Sequence, residues 1–131
     1  MGTEENKQIA KAFLAAASAR DADRVAALLS EQATFWRAGK PEIFRFAGEQ
    51  TKTQYCDYLR TPLPFKDRLS LTLGAITAEG EHVAMEVGMR GVLQDDRIYD
   101  NAAHFLFTIR NGKIESIREY MDTQHVAELF P

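Results

Sequence analysis

YDNAAHFLFTIRNGKIESIREYMDT, residues 99–123, is the stretch on which the reading of the fold turns. Asn111-Gly112 tolerates left-handed backbone at both central positions, and it stands between two runs of strand-forming residues, so it reads as a tight β-hairpin. After the turn the side chains sort into two faces, with Ser116, Arg118, Tyr120 and Asp122 on one and Ile117, Glu119 and Met121 on the other. Before the turn, Asn101, Ala103, Phe105 and Phe107 share one phase, and His104, Leu106 and Thr108 the other. The apolar residues make the faces of Phe105 and Phe107 and of Ile117 and Met121 the inward ones. Glu119 then sits among apolar neighbours, where a carboxylate needs an explanation.

Two more strands precede this hairpin. Residues 68–79 carry Leu69, Leu71, Leu73 and Ala75 in alternation with Ser70, Thr72 and Gly74, and residues 82–93 follow the turn Ala-Glu-Gly-Glu. Gln-Asp-Asp-Arg then leads into the strand over 99–110, the last strand spans 113–122, and 123–130 reads as a short closing helix. The first half is helical. Ile9, Ala12, Phe13, Ala16 and Ala17 recur at three and four within a helix over 4–19, with Thr3 as its expected N-cap. A second helix, capped by Asp21 or Asp23, carries Val25, Leu28 and Leu29. Residues 33–37 form a short strand, and 39–48 a loop marked by Gly39, Pro41 and Gly48. A third helix over 49–60, with Tyr55, Tyr58 and Leu59 on its apolar side, stops before Pro62. Three helices followed by an antiparallel meander predict an α+β fold. It should be a cone-like half barrel, with the helices packed on a curved, mainly antiparallel sheet and a cavity at the open end.

The chain has 131 residues, which suits one domain over 1–131. Its 45% hydrophobic and 27% charged residues are ordinary for a globular protein, and a net charge of -3 argues against nucleic acid or an anionic membrane as partner. No run is long and apolar enough to span a bilayer, and the acidic, polar start is unlike a secretory leader. With Cys56 as the one cysteine, a reduced, cytoplasmic location is expected.

The final hairpin, an aromatic-rich strand followed by Asn-Gly-Lys-Ile and then Arg-Glu-Tyr-x-Asp, together with the helices and the Gly-closed loop before it, resembles the SnoaL-like branch of the nuclear transport factor and ketosteroid isomerase superfamily. The resemblance spans nearly the whole chain. It implies a fold that hosts isomerases, polyketide cyclases, epoxide hydrolases, dehydratases and noncatalytic binding modules, so function has to come from the pocket. The limonene-epoxide hydrolase pattern of that superfamily places its last-strand carboxylate on Glu119, its Arg-x-Asp on Glu86 and Gly88, and its Tyr-x-Asn on Phe35 and Arg37. One of these five positions keeps its chemistry, which disfavours that reaction. The isomerase triad has no clear counterpart here. The single acid that a polyketide cyclase needs near the end of the last strands fits Glu119.

Glu119 is therefore the expected catalytic base, because an apolar site raises a carboxyl toward the range useful for proton transfer. The competing reading is an ion pair with Arg37, Arg90 or Arg118. Glu86 is expected in the pocket with Arg37 between it and Glu119, either orienting the base or closing a structural network. Asn101 either binds a substrate carbonyl or bonds its own backbone. Tyr55 offers a hydroxyl from the third helix, while Phe35, Trp36 and Phe105, with Phe44 and Phe46, suggest an apolar ligand. His104 belongs to the outer face, where this fold commonly packs on a second subunit. His82 and His125 lack metal-binding spacing, so no metal and no cofactor are expected. The function expected is a pocket for a small apolar or carbonyl-bearing molecule in a homodimer. It is either a cofactor-free isomerase or cyclase-like acid/base enzyme, or a noncatalytic module that kept the pocket.

Overall fold

A computed structural model describes residues 2–131. The elements run α1 (Thr3–Ser18), α2 (Ala22–Leu28), β1 (Leu29–Arg37), β2 (Gly48–Thr51), α3 (Lys52–Arg60), β3 (Ser70–Glu79), β4 (His82–Val92), β5 (Ile98–Arg110), β6 (Lys113–Met121) and α4 (Thr123–Leu129). They form one open six-stranded sheet in the order β2-β1-β6-β5-β4-β3, with the helices packed against it, an α+β fold of the kind expected. The meander β3 to β6 is antiparallel throughout. Asn111 and Gly112, with φ of 51° and 77°, make the left-handed turn that joins β5 to β6.

Three local expectations change. Residues 48–51 belong to a strand and not to the start of α3. Gly48 takes φ of 107°, which glycine alone adopts without strain, and the chain then doubles back against the outer edge of β1. Thr51 caps α3 by accepting from the Gln54 amide, while the Gln54 side chain accepts from the Thr51 amide, a reciprocal box legible in Thr-Lys-Thr-Gln. At the other end of the chain, Gly2 and not Thr3 occupies the cap position of α1, whereas Asp21 caps α2 by accepting from the Arg24 amide. In β3 the register slips between Leu73 and Ile76, so Ala75 turns outward and Ile76 takes the inward phase.

The largest addition is β1, which begins at Leu29 and lies parallel to β6, with Phe35 beside Ile117 and Arg37 beside Glu119. This pairing joins the first third of the chain to its end. The core lies between the inward sheet face and α1 to α3. Phe13 of α1 meets Phe107 of β5 edge-on at 5.5 Å, and both rings are fully buried. Beyond the sheet, the segment after α3 returns along β4, where Phe65 bridges to Leu93.

Gly91 permits that return. A Cβ built there would lie 2.7 Å from Cδ1 of Phe65, a ring that is only 6% exposed. Gly91→Ala should lower stability by about 1–3 kcal/mol through overpacking. Urea denaturation checks this, and an unchanged midpoint would show that Phe65 is free to move.

Candidate functional site

Strand periodicity builds the site. Ala33, Phe35 and Arg37 of β1 and Ile117 and Glu119 of β6 point toward the core, and the parallel register brings the last pair side by side. Arg37 Nε donates to Glu119 Oε1 at 3.0 Å, and Arg37 Nη1 donates to Gln50 Oε1 of β2 at 3.3 Å. Both ions are buried, Glu119 at 4% exposure and Arg37 at 9%. The guanidinium carbon lies 4.7 Å from the centre of the Phe35 ring and 5.0 Å from that of Tyr58. Tyr55 stacks on Phe35 at 4.1 Å with the planes 8° apart, and Phe105 meets Phe35 edge-on. Aromatic faces thus hold the arginine's position while the carboxylate balances its charge.

These side chains border a cavity of about 360 Å³ between the sheet, α3 and the loop over 38–47. That volume is at the small end for ligand sites, about 300–1,000 Å³, and suits a molecule of one or two rings. Glu119 lines it. Its Oε2 has no hydrogen-bond partner, and among the described residues the one sealed and unpartnered side-chain oxygen or nitrogen is Asn6 Oδ1, so Oε2 is reachable from the cavity. The Tyr55 and Tyr58 hydroxyls likewise face no hydrogen-bond partner among the described residues, and both residues line the cavity.

Burial pushes the Glu119 carboxyl above the ordinary carboxylate range, while the charge and hydrogen bond of Arg37 pull it partly back. For Arg37 burial acts downward, but the charge of Glu119, with smaller contributions from Tyr58 and Tyr55, outweighs it and the net displacement is upward. The guanidinium stays charged. Burial also raises the Tyr55 phenol, so it keeps its proton and can donate it in a hydrogen bond. Tyr99 is pushed up to about 12 by burial, against a hydrogen bond from Asn101.

Of the residues expected in the pocket, Glu119, Arg37, Tyr55, Phe35 and Phe105 line this one cavity. Three others do not. Trp36 lies between two inward residues and so points to the opposite sheet face, where the Arg118 guanidinium sits 3.8 Å over its ring and Tyr120 meets it edge-on. Glu86 is exposed on that same outer face, opposite His104, because Val83, Met85, Val87 and Met89 are the buried phase of β4. The Glu–Arg–Glu cluster therefore does not form, and Gln50 takes the place expected of Glu86 beside Arg37. Asn101 is inward and buried but does not line the cavity. Its Nδ2 donates to the Tyr99 hydroxyl at 3.0 Å and to the Asp122 carbonyl at 3.1 Å, and its Oδ1 accepts from the Ala102 amide. It fixes Tyr99 and the start of α4 instead of meeting a ligand. Gln50, Tyr99, Arg20 and Arg45 were not singled out from the sequence, although the last three line the cavity. Among the described residues no group of three or more His, Cys, Asp or Glu side chains is placed to hold a metal.

The SnoaL-like domain profile matches residues 10–117 of the chain. None of the curated proteins compared matches it. Among solved structures, an NTF2-like protein from Burkholderia xenovorans is 26% identical, with a TM-score of 0.78 over 98% of this chain and 97% of that one. TerC, co-crystallised with polyporic acid, is 15% identical, with a TM-score of 0.82 over 95% of this chain and 97% of that one. A putative ketosteroid isomerase from Kribbella flavida is 18% identical, with a TM-score of 0.70 over 91% of this chain and 78% of that one. At such identities the last two speak for the fold alone.

Arg37→Leu tests the buried pair. Removing one partner of such a pair should cost about 3 kcal/mol at about pH 8. With nothing left to oppose burial, the folded-state pKa of Glu119 rises further above its unfolded value. A group raised in this way contributes fully below its unfolded pKa and loses that contribution as pH climbs through the folded one. The deficit relative to the native chain should therefore be small near about pH 4 and grow toward about pH 8. Urea denaturation at both values checks it, and equal deficits would mean that the charge of Glu119 is not involved.

Proposed function

The chain belongs to the SnoaL-like domain family, and on that premise we propose that its cavity is a cofactor-free proton-transfer site for a small, largely apolar molecule bearing a carbonyl. One observation carries this reading: Glu119 is buried and anchored through Oε1, yet Oε2 is reachable from the cavity. A base with one oxygen held and the other turned to the ligand is oriented without being consumed by its own partner.

In this reading Glu119 Oε2 takes a proton from the carbon beside the ligand carbonyl. The electron pair of that C–H bond becomes the C=C bond of an enolate, the carbonyl π pair moves onto its oxygen, and the Tyr55 hydroxyl donates to the oxyanion that forms. Where the ligand carries a neighbouring double bond, the same carboxyl returns the proton at the far carbon of the dienolate, which isomerises the ligand. Otherwise the enolate carbon attacks a second carbonyl, the carboxyl gives its proton to the alkoxide that forms, and a ring closes. Burial favours the step because a carboxylate of raised pKa is the stronger base toward carbon acids. Arg37 limits that rise through its charge and its hydrogen bond to the carboxyl. A noncatalytic module would use the same aromatic walls for binding alone.

We further infer a homodimer through the outer sheet face. That face carries the Trp36–Tyr120 pair, and Tyr120, Ile98 and Val92 are all substantially exposed. Tyr120→Asp should shift sedimentation to the mass of one chain, whereas an unaltered profile would remove this face as the contact.

Deuterium uptake at the carbon beside the carbonyl, followed by proton NMR in deuterium oxide over a panel of bicyclic ketones such as tetralones, tests the chemistry. The native chain should accelerate uptake, and Glu119→Gln should reduce that acceleration by about a hundredfold to ten-thousandfold, the usual contribution of a positioned base. The rate should climb with pH through a midpoint above the ordinary carboxylate range. Ketones that bind without any uptake would leave the noncatalytic module as the function.

A further inference from the structure

The cavity wall is electrically one-sided. Three guanidiniums, Arg20, Arg37 and Arg45, line it against the single carboxylate of Glu119, in a chain whose net charge is -3. Two of the three are already engaged. Arg37 is held by Glu119 and Gln50, and Arg20 donates to the carbonyls of Tyr58, Leu59 and Thr61 at 2.7–3.1 Å, which ties α1 to the end of α3. Arg45 is different. It is exposed at the cavity's edge, has no hydrogen-bond or ion-pair partner among the described residues, and rests with its guanidinium carbon 4.5 Å over the Phe46 ring. Phe46 in turn packs against Phe44 and edge-on against Phe130, so the cation sits on an aromatic platform at the mouth.

Unpaired arginines are common on protein surfaces, and exposure alone would say little. What gives Arg45 weight is the wall behind it. A buried cation paired with an acid is neutral overall, but the carbonyl-bound Arg20 keeps its full positive charge, and no second carboxylate lines the cavity to offset Arg20 and Arg45. The low dielectric of an aromatic enclosure makes such an imbalance felt by any ligand inside. A guanidinium that already stacks on an aromatic face leaves its N–H edge open for a planar anion, which it can grip through two parallel hydrogen bonds.

Resting on the proton-transfer reading above, we propose that the cavity selects an anionic ligand, a one- or two-ring apolar molecule whose carboxylate pairs with Arg45 at the mouth while its carbonyl end faces Glu119 and Tyr55. Arg45 is then the residue that sets ligand charge and direction of entry, and Glu119 the residue that acts on the far end. This separates specificity from chemistry, one carried by the loop over 38–47 and the other by β6.

The test compares two ligands of one ring system, naphthoate and the neutral ketone acetylnaphthalene, by titration of the chain's intrinsic fluorescence. The native chain should bind naphthoate about tenfold more tightly, the worth of one hydrogen bond to a charged group. Arg45→Met should erase that preference, weakening naphthoate about tenfold relative to acetylnaphthalene. In the native chain the preference should also shrink as salt rises, a readout that needs no variant. Equal affinities in the native chain, or a preference that survives in Arg45→Met, would overturn the anion inference and leave the proton-transfer reading standing. Binding of neither compound would overturn both. Failure of deuterium uptake with the anion preference intact would remove the chemistry alone.

Discussion

The parallel contact between β1 and β6 brings together residues 82 positions apart and is the constraint on which the site depends. Neither strand's hairpin neighbour supplies it. It places Arg37 beside Glu119 at the point where the sheet meets the helices, and it encloses an ion pair that neither residue could carry alone. Gln50 completes the arrangement from the far edge of β1, so three strands converge on one guanidinium. The flanking rings of Phe35 and Tyr58 exclude water from that guanidinium and leave it little room to turn away from the carboxylate.

The cavity follows from the same layout. Aromatic residues from β1, α3 and β5 stack on one another and not across the gap, with Tyr55 on Phe35 and Phe105 against Phe35's edge. Space remains where the sheet curves away from the helices, and its interior end is marked by a carboxyl with one bound and one open oxygen. The polar groups that reach it arrive by different routes, Glu119 by strand alternation and Tyr55 by helix spacing. Burial alters both in the same sense, giving a carboxyl less willing to ionise and a phenol that holds its proton.

Much of this was legible wherever short-range periodicity governs. Alternation alone turned Glu119 inward, and the Asn111-Gly112 turn located the hairpin that carries it. The same alternation already opposed two expectations. Phe35 and Trp36 are adjacent on a strand and cannot both face one cavity, and Glu86 lies out of phase with Val83, Met85, Val87 and Met89. The limonene-epoxide hydrolase register contradicts the strand's own pattern at Glu86. What no local pattern carries is pairing between distant segments. Gly-Glu-Gln-Thr at 48–51 has weak strand character and becomes β2 because the edge of β1 offers it partners. Gln50 was invisible for that reason, as was the engagement of Asn101 with Tyr99 and Asp122. The slip in β3 at Gly74 and Ala75 has a similar origin, since an outward Ala75 costs little and an inward Ile76 gains burial.

The connection between β1 and β2 leaves the sheet after Arg37 and returns at Gly48, and between those points it contributes Phe44, Arg45 and Phe46 to the cavity. None of its residues 38–47 lies in a strand or helix of the sheet-and-helix framework. Ala38 still donates its amide to the Glu119 carbonyl, but insertions, deletions or exchanges over 39–47 can change the shape of the cavity mouth without removing a partner of the ion pair. A lineage built on this plan can reshape the cavity mouth through one hairpin connection while inheriting the buried ion pair intact.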